Sequence, residues 1–504
     1  MTRMNPHKHY RNAPPKAAAI MESLRGLGYT TATALADIVD NSISAGATSV
    51  LIDFIWDGSS SRISILDNGR GMDDPELESA MRLGEKNPLE NRDRTDLGRF
   101  GLGLKTASFS QCRRLTVASV KNDKTSCLRW DLDALDAKST ADWPLFEGPS
   151  LGSEAFLAPL NKFKTGTFVL WESLDRIVTK CFSTNDFNDL IDHVESHFAM
   201  VFHRLIQGPN ARLEIFLNET PVKPWDPFMI EYESKIWSSP VVKMKTESGN
   251  IEVECHVLPH RDKLSPEDYA LNGGPEGWTA QQGFYIYRNE RLLVAGGWLG
   301  LGKGRAWNRE EAYRLARIRL DIPNTADAEW KIDIRKSIAR PPTSLRPRLT
   351  QLAEDTRNRA RKVFAYRGSP VLGLGGSVVE QAWRVEQTRA GVRYKIDEKH
   401  PVISAVLDEA GPLVTLVKAM LRVIEETVPV QRIWLDTIEN KEIPMTGFSG
   451  EPPENVTAVL KTIYADMINR RKMSPDIAKK ILSVTDPFQN YPELVAGLVD
   501  EEAT

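Results

Sequence analysis

The stretch Thr31–Ser44, TATALADIVDNSIS, decides how this chain is read. At helical spacing Leu35, Ile38, Val39 and Ile43 fall on one face. Asp37, Asp40, Asn41 and Ser44 fall at i, i+3, i+4 and i+7 on the other. A carboxylate can accept a proton from a water or orient it, and an amide oxygen is a hard ligand suited to Mg²⁺. Alone, such a stripe is ordinarily a solvated helix face.

The sequence on the C-terminal side raises the stakes. Thr48–Trp56 and Arg62–Leu66 are rich in β-branched and aromatic residues and are joined by Asp57-Gly58, which predicts two strands in a tight hairpin. The second strand runs into Asp67-Asn68-Gly69-Arg70-Gly71-Met72, a carboxylate at a glycine-lined turn. An acceptor beside an apolar wall suits an adenine amino group, and glycines let backbone approach a flat ring; by itself the pattern is also that of a plain β-turn. Gly98-Arg99-Phe100-Gly101-Leu102-Gly103-Leu104-Lys105-Thr106 then leads into a helical pattern. Its glycines free N–H groups for anions, the helix N-terminus adds partial positive charge and Lys105 adds a full one, so the segment reads as a phosphate cradle. It is neither a P-loop nor a dinucleotide fingerprint, because the glycines run GxxGxG. Gly166-Thr167 opens a further strand, where a threonine hydroxyl can reach adenine directly or through water.

In this order the four segments resemble the GHKL superfamily of ATPases, which includes gyrase B subunits, MutL, chaperones of the same fold, histidine kinases and MORC proteins. The resemblance implies an α+β chain with a GHKL (Bergerat) ATP-binding sandwich of mixed sheet and helices. It implies ATP and Mg²⁺ as ligands, Asp37 as the base and Asn41 as the metal ligand. It also implies Asp67 on the adenine amino group, Gly71 and Met72 beside the ring, Thr167 on the adenine, and Gly98, Arg99, Phe100, Gly101, Leu102, Gly103 and Lys105 at the phosphates. Residues 73–97 become a mobile lid. Most hydrolysing members have Glu where this chain has Asp37. Hydrolysis is the expected activity, with Asp40 as a helper and a slow or non-catalytic ATP sensor as the alternative.

Gly283–Leu293, GFYIYRNERLL, is similar to a MORC strand pair, and DIVDNSISAGA at Asp37–Ala47 is similar to MORC and MutL alike. Relatives of this kind carry an S5-like transducer after the ATPase domain, from which a lysine reaches the γ-phosphate. Lys331 and Lys336 are candidates, and Lys336 is favoured. The expected organisation is an arm over 1–15, the ATP-binding domain over 16–182, the transducer over 183–367 and a mainly helical region over 368–504. Strands are expected at Arg212–Leu217, Ile251–Leu258, Gly283–Tyr287, Arg317–Ile322 and Lys331–Ile334, and helices at Phe187–Ile206 and Leu345–Tyr366.

The family mechanism implied is an ATP-gated homodimeric clamp, with double-stranded DNA as expected cargo and defence-operon proteins as expected partners in a prokaryotic antiviral setting. Arg335–Arg367 holds ten Lys/Arg against two Asp/Glu, which suits phosphates or a solvated face that pairs with acidic residues. A protein-remodelling chaperone is the other alternative. A histidine kinase is disfavoured, since His7 and His9 look like tail, and a nuclease or toprim region has no acidic cluster in residues 380–504. At 504 residues, 41% hydrophobic and net charge −3, the chain is long enough for several cores and carries no field that pulls it onto an anionic surface. Cys112, Cys127, Cys181 and Cys255 are too scattered for a zinc site or a disulfide framework. No apolar run is long enough for a membrane span, so a cytoplasmic location is expected.

Overall fold

A computed structural model describes residues 16–84, 103–137, 143–327, 329–333, 336, 338–365, 381–388, 391–430, 454–485 and 488–498. The expected arm over 1–15, Gly98 to Leu102 of the phosphate cradle, lid residues 85–97, the glycine-rich break at 371–377 and the loop at 441–453 lie outside these residues.

Helices α1 (Ala17–Arg25) and α2 (Thr31–Ser44) precede strands β1 (Ser49–Ile55) and β2 (Arg62–Asp67). Helices α3 (Asp74–Met81) and α4 (Gly103–Phe109) follow, then β3 (Arg114–Lys121), β4 (Lys124–Asp131), α5 (Leu132–Ala137), β5 (Phe146–Glu147) and β6 (Gly166–Glu172). Next come α6 (Thr184–Val201), α7 (His203–Ile206), β7 (Glu214–Leu217) and β8 (Thr220–Pro221). The strands pair in the order β5-β4-β3-β6-β2-β1-β7-β8, antiparallel except for β1 with β7. The sheet is therefore mixed and the fold α+β. The first core continues past residue 182, because α6 and β7 contribute Phe187, Phe198, Ile215 and Leu217 to it.

Helix α2 starts at a capping box, with the Thr33 N–H donating to the Thr30 hydroxyl at 3.2 Å and the Thr30 N–H to the Thr33 hydroxyl at 3.0 Å. It ends where Gly46, at φ +76°, donates its N–H to the Ile43 carbonyl. The β1–β2 link departs from the expected tight hairpin: a 3₁₀ turn over Gly58–Ser60 intervenes, held by the Ser61 hydroxyl donating to the Gly58 carbonyl. The expected Phe187–Ile206 helix starts earlier, at the Ser183 cap, and breaks at Phe202.

Strand pleat sorts the sheet's two faces. Ile63, Ile65, Leu115, Val117, Val169 and Trp171 pack under the helices. Leu66, Ala118, Val120, Phe168 and Leu170 face the other way, beneath the 3₁₀ stretch Glu154–Lys162. Period-two alternation therefore carries Asp67, Ser119 and Thr167 to the helix side, at the end of the sheet near α2. The β2–β6 register sets Asp67 opposite Thr167, and the β3–β6 register sets Ser119 opposite Thr167.

The second sheet contains β9 (Trp237–Ser238), β10 (Val242–Thr246) and β11 (Gly249–Val257), then, after helix α8 (Pro266–Asn272), β12 (Gly283–Arg288), β13 (Arg291–Ala295) and β14 (Ala316–Asp321). Its order is β10-β11-β14-β12-β13, with β9 on β11 and β12 parallel to β14. Helix α9 (Arg346–Ala365) lays Leu349, Ala353 and Ala360 into the second core. Arg357, one of the ten basic residues of Arg335–Arg367, is buried against the rings of Trp298, Trp307 and Tyr313, with its guanidinium carbon 3.7 Å from the Tyr313 centroid.

The expected strand at Lys331–Ile334 is a loop over its described residues. Trp330 is fully buried, Lys331 turns the backbone at φ +49°, and the Arg340 N–H returns to the Trp330 carbonyl at 2.7 Å. Ile332 and Ala339 anchor the same loop in the second core, so tertiary packing overrides the local alternation.

Residues 1–365 form one compact unit and residues 366–504 another. In the latter, an antiparallel hairpin of β15 (Trp383–Thr388) and β16 (Gly391–Ile396) precedes helices α10 (Pro401–Glu409), α11 (Val414–Thr427), α12 (Glu454–Ala465), α13 (Pro475–Leu482) and α14 (Pro492–Ala496). Their core is built on Leu460, Ile463, Met467, Leu482 and Phe488. Among the described residues no helix is long and apolar enough to cross a membrane.

Candidate active site

The polar stripe of α2 is half buried, since Asp37 and Asp40 are covered while Asn41 and Ser44 are exposed. Asp37 is 5% exposed and Asp40 1%, whereas Asn41, next along, is exposed. Buried carboxylates need partners, since an unpaired one costs several kcal/mol. Asp37 has two: the Tyr29 hydroxyl donates to Oδ2 at 2.8 Å and the Lys336 ammonium to Oδ1 at 3.0 Å. Lys336 also donates to Asp40 Oδ2, and the Arg291 Nε donates to Asp40 Oδ1 at 3.2 Å. Burial alone would raise the Asp40 pKa, but Arg291 and Lys336 outweigh it and hold the carboxyl below its ordinary value. Burial and the charge of Asp37 push the Tyr29 phenol upward, so the phenol stays a proton donor.

Lys336 arrives from the second sheet's loop, 299 residues along the chain from Asp37. The loop is shaped by Asp333, whose carbonyl accepts the Lys336 N–H at 3.0 Å and whose carboxylate accepts the Ile338 N–H at 2.9 Å. Lys336 itself sits at φ +54°, an uncommon conformation for a residue with a Cβ. Lys331, the other candidate, is exposed. Helix α4 closes on the same place: a Cβ added at Gly103 would lie 3.8 Å from Asp37 Oδ2.

At the sheet end, Asp67 is 6% exposed and its carboxylate accepts the Ser42 hydroxyl at 2.7 Å and the Gly69 N–H at 2.9 Å. Burial raises its pKa, and the hydrogen bonds from Ser42, Gly69 and Thr167 only partly offset this. The Met72 N–H donates to the Ser119 hydroxyl at 2.8 Å, and that hydroxyl stands 3.0 Å from the Thr167 hydroxyl. Gly71 has φ +66°, and a Cβ there would fall 1.9 Å from the Val120 carbonyl oxygen. Gly71→Ala is therefore expected to destabilise the fold by at least the about 1–3 kcal/mol of a strained backbone position, measured by urea denaturation.

Lys105 is placed differently from a lysine pointed at open solvent. It is 3% exposed, and its ammonium donates to the Ala80 carbonyl at the end of α3 at 2.8 Å. Tyr29, Ser42, Ser119 and Arg291 were not singled out from the sequence. Ser119 was detectable as the register neighbour of Thr167 once β3 and β6 are paired; Arg291 carries no local signal, because its carboxylate lies 251 residues away.

Residues 29–167 match the family described as "Histidine kinase-, DNA gyrase B-, and HSP90-like ATPase". This segment is a GHKL-superfamily ATPase domain. The chain is also 36% identical over 89 residues to the DNA mismatch repair protein MutL of Rhodospirillum rubrum, a stretch covering 18% of this chain. It spans 14% of the length of that MutL. In the GHKL domain of this chain, α2, the β2 turn, α4 and the start of β6 converge on one end of the sheet. The lysine that reaches its carboxylates comes from outside the matched residues.

Proposed function

We propose that the GHKL domain binds ATP with Mg²⁺ and hydrolyses it, and that Lys336 completes the site from the second sheet. The observation that carries this reading is the convergence of Lys336, Asp37 and Asp40 beside the start of α4. In this reading Asp67 accepts a hydrogen bond from the adenine amino group, and the Ser119–Thr167 hydroxyl pair serves the adjacent ring edge. Gly71 and Met72 line the ring. Gly98, Arg99, Phe100, Gly101, Leu102 and Gly103 are the proposed phosphate-binding residues, on the ground that a glycine-rich segment leading into a helix N-terminus supplies free N–H groups. Lys105 joins them by exchanging the Ala80 carbonyl for a phosphate oxygen.

The protein's metal donors fit an ion that arrives with its nucleotide. Asn41 is exposed one residue beyond Asp40, and its side chain makes no hydrogen bond among the described residues. No cluster of three His, Cys, Asp or Glu that could hold a metal exists among the described residues. Mg²⁺ keeps most of its shell as water and phosphate oxygens, so one amide oxygen suffices as the protein's contribution. When bound, the ion neutralises phosphate charge.

Asp37 is the acceptor for the proton of the attacking water. Each of its oxygens already accepts one hydrogen bond, from Tyr29 and from Lys336, and in this reading the ammonium shifts toward the γ-phosphate, which opens Oδ1 to the attacking water. The same observation favours the second reading, an ATP sensor that does not turn over. Phosphate release with Mg²⁺ separates the two: the wild type should exceed Asn41→Ala, and equal rates would leave the sensor.

DNA is proposed as cargo. Arg348, Arg359, Arg361 and Lys362 remain exposed on α9, and the matched MutL is named as a DNA mismatch repair protein. Duplex binding should weaken as salt rises, and reversing those four charges should flatten the salt slope by about 0.9 for each phosphate no longer neutralised. We further propose that ATP drives two copies together, checked by light scattering with a non-hydrolysable analogue; a persistent monomer would contradict it.

A further inference from the structure

Arg291 is the least expected group in the site. It lies at the start of β13, is 4% exposed, and is held by its own donation to the Leu292 carbonyl at 2.7 Å as well as by Asp40. Nearby His197 on α6 adds no charge at neutral pH, because burial and Arg291 lower its pKa to about 3. Among the described residues the ion pairs on α2 join Asp37 and Asp40 to Lys336 and Arg291, two charges of each sign, with Asp333 also close enough to act on Tyr29.

Movement of Lys336 changes that balance in a specific way. If it leaves for a phosphate, Asp40 stays neutralised by Arg291, and Asp37 becomes the one carboxylate without a cationic partner. Without Arg291, departure would strand two buried carboxylates a helical turn apart, and like charges at that spacing oppose each other. Lys336 would then be held where it is.

Resting on the ATPase reading above, we infer that Arg291 is a positioning residue that frees Lys336: by clamping Asp40 it lets the lysine pass from the carboxylates to the nucleotide and leaves Asp37 as base. Because Arg291 sits on β13, the second sheet takes part in the chemical step through two cations rather than one. Arg291 touches no reacting atom; it acts through Asp40 and Lys336.

The test uses the full chain and compares kcat with ATP affinity. Arg291→Gln should lower kcat about 10-fold or more while the ATP dissociation constant changes less than about 3-fold, a difference of the size one misplaced charge makes. Arg291→Lys should recover most of the loss, since it keeps the charge. In a background that carries Lys336→Ala and Asp40→Asn, Arg291→Gln should cost nothing further, because both the group it releases and the carboxylate it clamps are gone. A residue that merely supports the fold would instead lower kcat by a similar factor in both backgrounds, and that result would overturn the inference. Where Arg291→Gln does not fold, Asp40→Asn/Arg291→Gln removes the clamp and its charge together; kcat within about 3-fold of Asp40→Asn supports the inference, and a further 10-fold loss overturns it. A wild type with no turnover above Asn41→Ala defeats the ATPase reading itself, which is a separate outcome.

Discussion

Asp37→Asn is expected to lower kcat for ATP hydrolysis by about 10²–10⁴-fold, the usual contribution of a positioned general base, while ATP still binds. The amide keeps the carboxylate's shape and accepts a hydrogen bond from Tyr29 or Lys336 through its one oxygen, but it takes no proton from water. Affinity should hold, because in this account the adenine and phosphate contacts lie on Asp67 and the cradle rather than on Asp37. Steady-state phosphate release and calorimetric titration of ATP check the two halves. Loss of affinity with unchanged kcat would assign Asp37 to binding instead.

Lys336→Ala is the second large effect, and it acts on stability as well as rate. Lys336 is 10% exposed and bridges carboxylates that are 5% and 1% exposed, so its removal breaks a buried ion network. Such breaks cost about 3–5 kcal/mol, and the low end is expected here because Arg291 still neutralises Asp40 and Tyr29 still donates to Asp37. Urea denaturation reads that loss. The rate should fall about 10²-fold or more, as for deletion of a donor aimed at developing charge. Unchanged turnover would remove Lys336 from the site.

How much of this was legible in the sequence follows from the range of each interaction. The bounds of α2 were readable because the Thr30 cap and Gly46 are local chemistry, and the α+β class followed from alternating patterns nearby. The convergence of Asp67 with Thr167 was readable in outline, since period-two pleat and family order both direct them to one place. The burial of Asp37 and Asp40 was not, because helical spacing shows which residues share a face and not what covers that face. Lys331 and Lys336 differ only in tertiary placement: Trp330 and Ala339 pull both ends of their loop into the second core, which leaves Lys331 outside and carries Lys336 onto α2. The same closure defeats the expected Lys331–Ile334 strand. The burial of Arg357 was unreadable for a similar reason, since a basic helix shows its count of charges but not the three rings that enclose one of them.

The pocket's claim on adenine is the centre of the account, and it rests on Asp67, a buried carboxylate with acceptor capacity beyond the hydrogen bonds it takes from Ser42 and Gly69. Calorimetric titration of the wild type with Mg²⁺–ATP and with Mg²⁺–GTP tests it most directly. Adenine offers an amino group where guanine offers a carbonyl oxygen, and a site built on a hydrogen bond rejects the mismatched partner by about 10²-fold or more. Saturable ATP binding with GTP at least that much weaker is the expected result. Absence of ATP binding, or equal affinity for GTP, would contradict it.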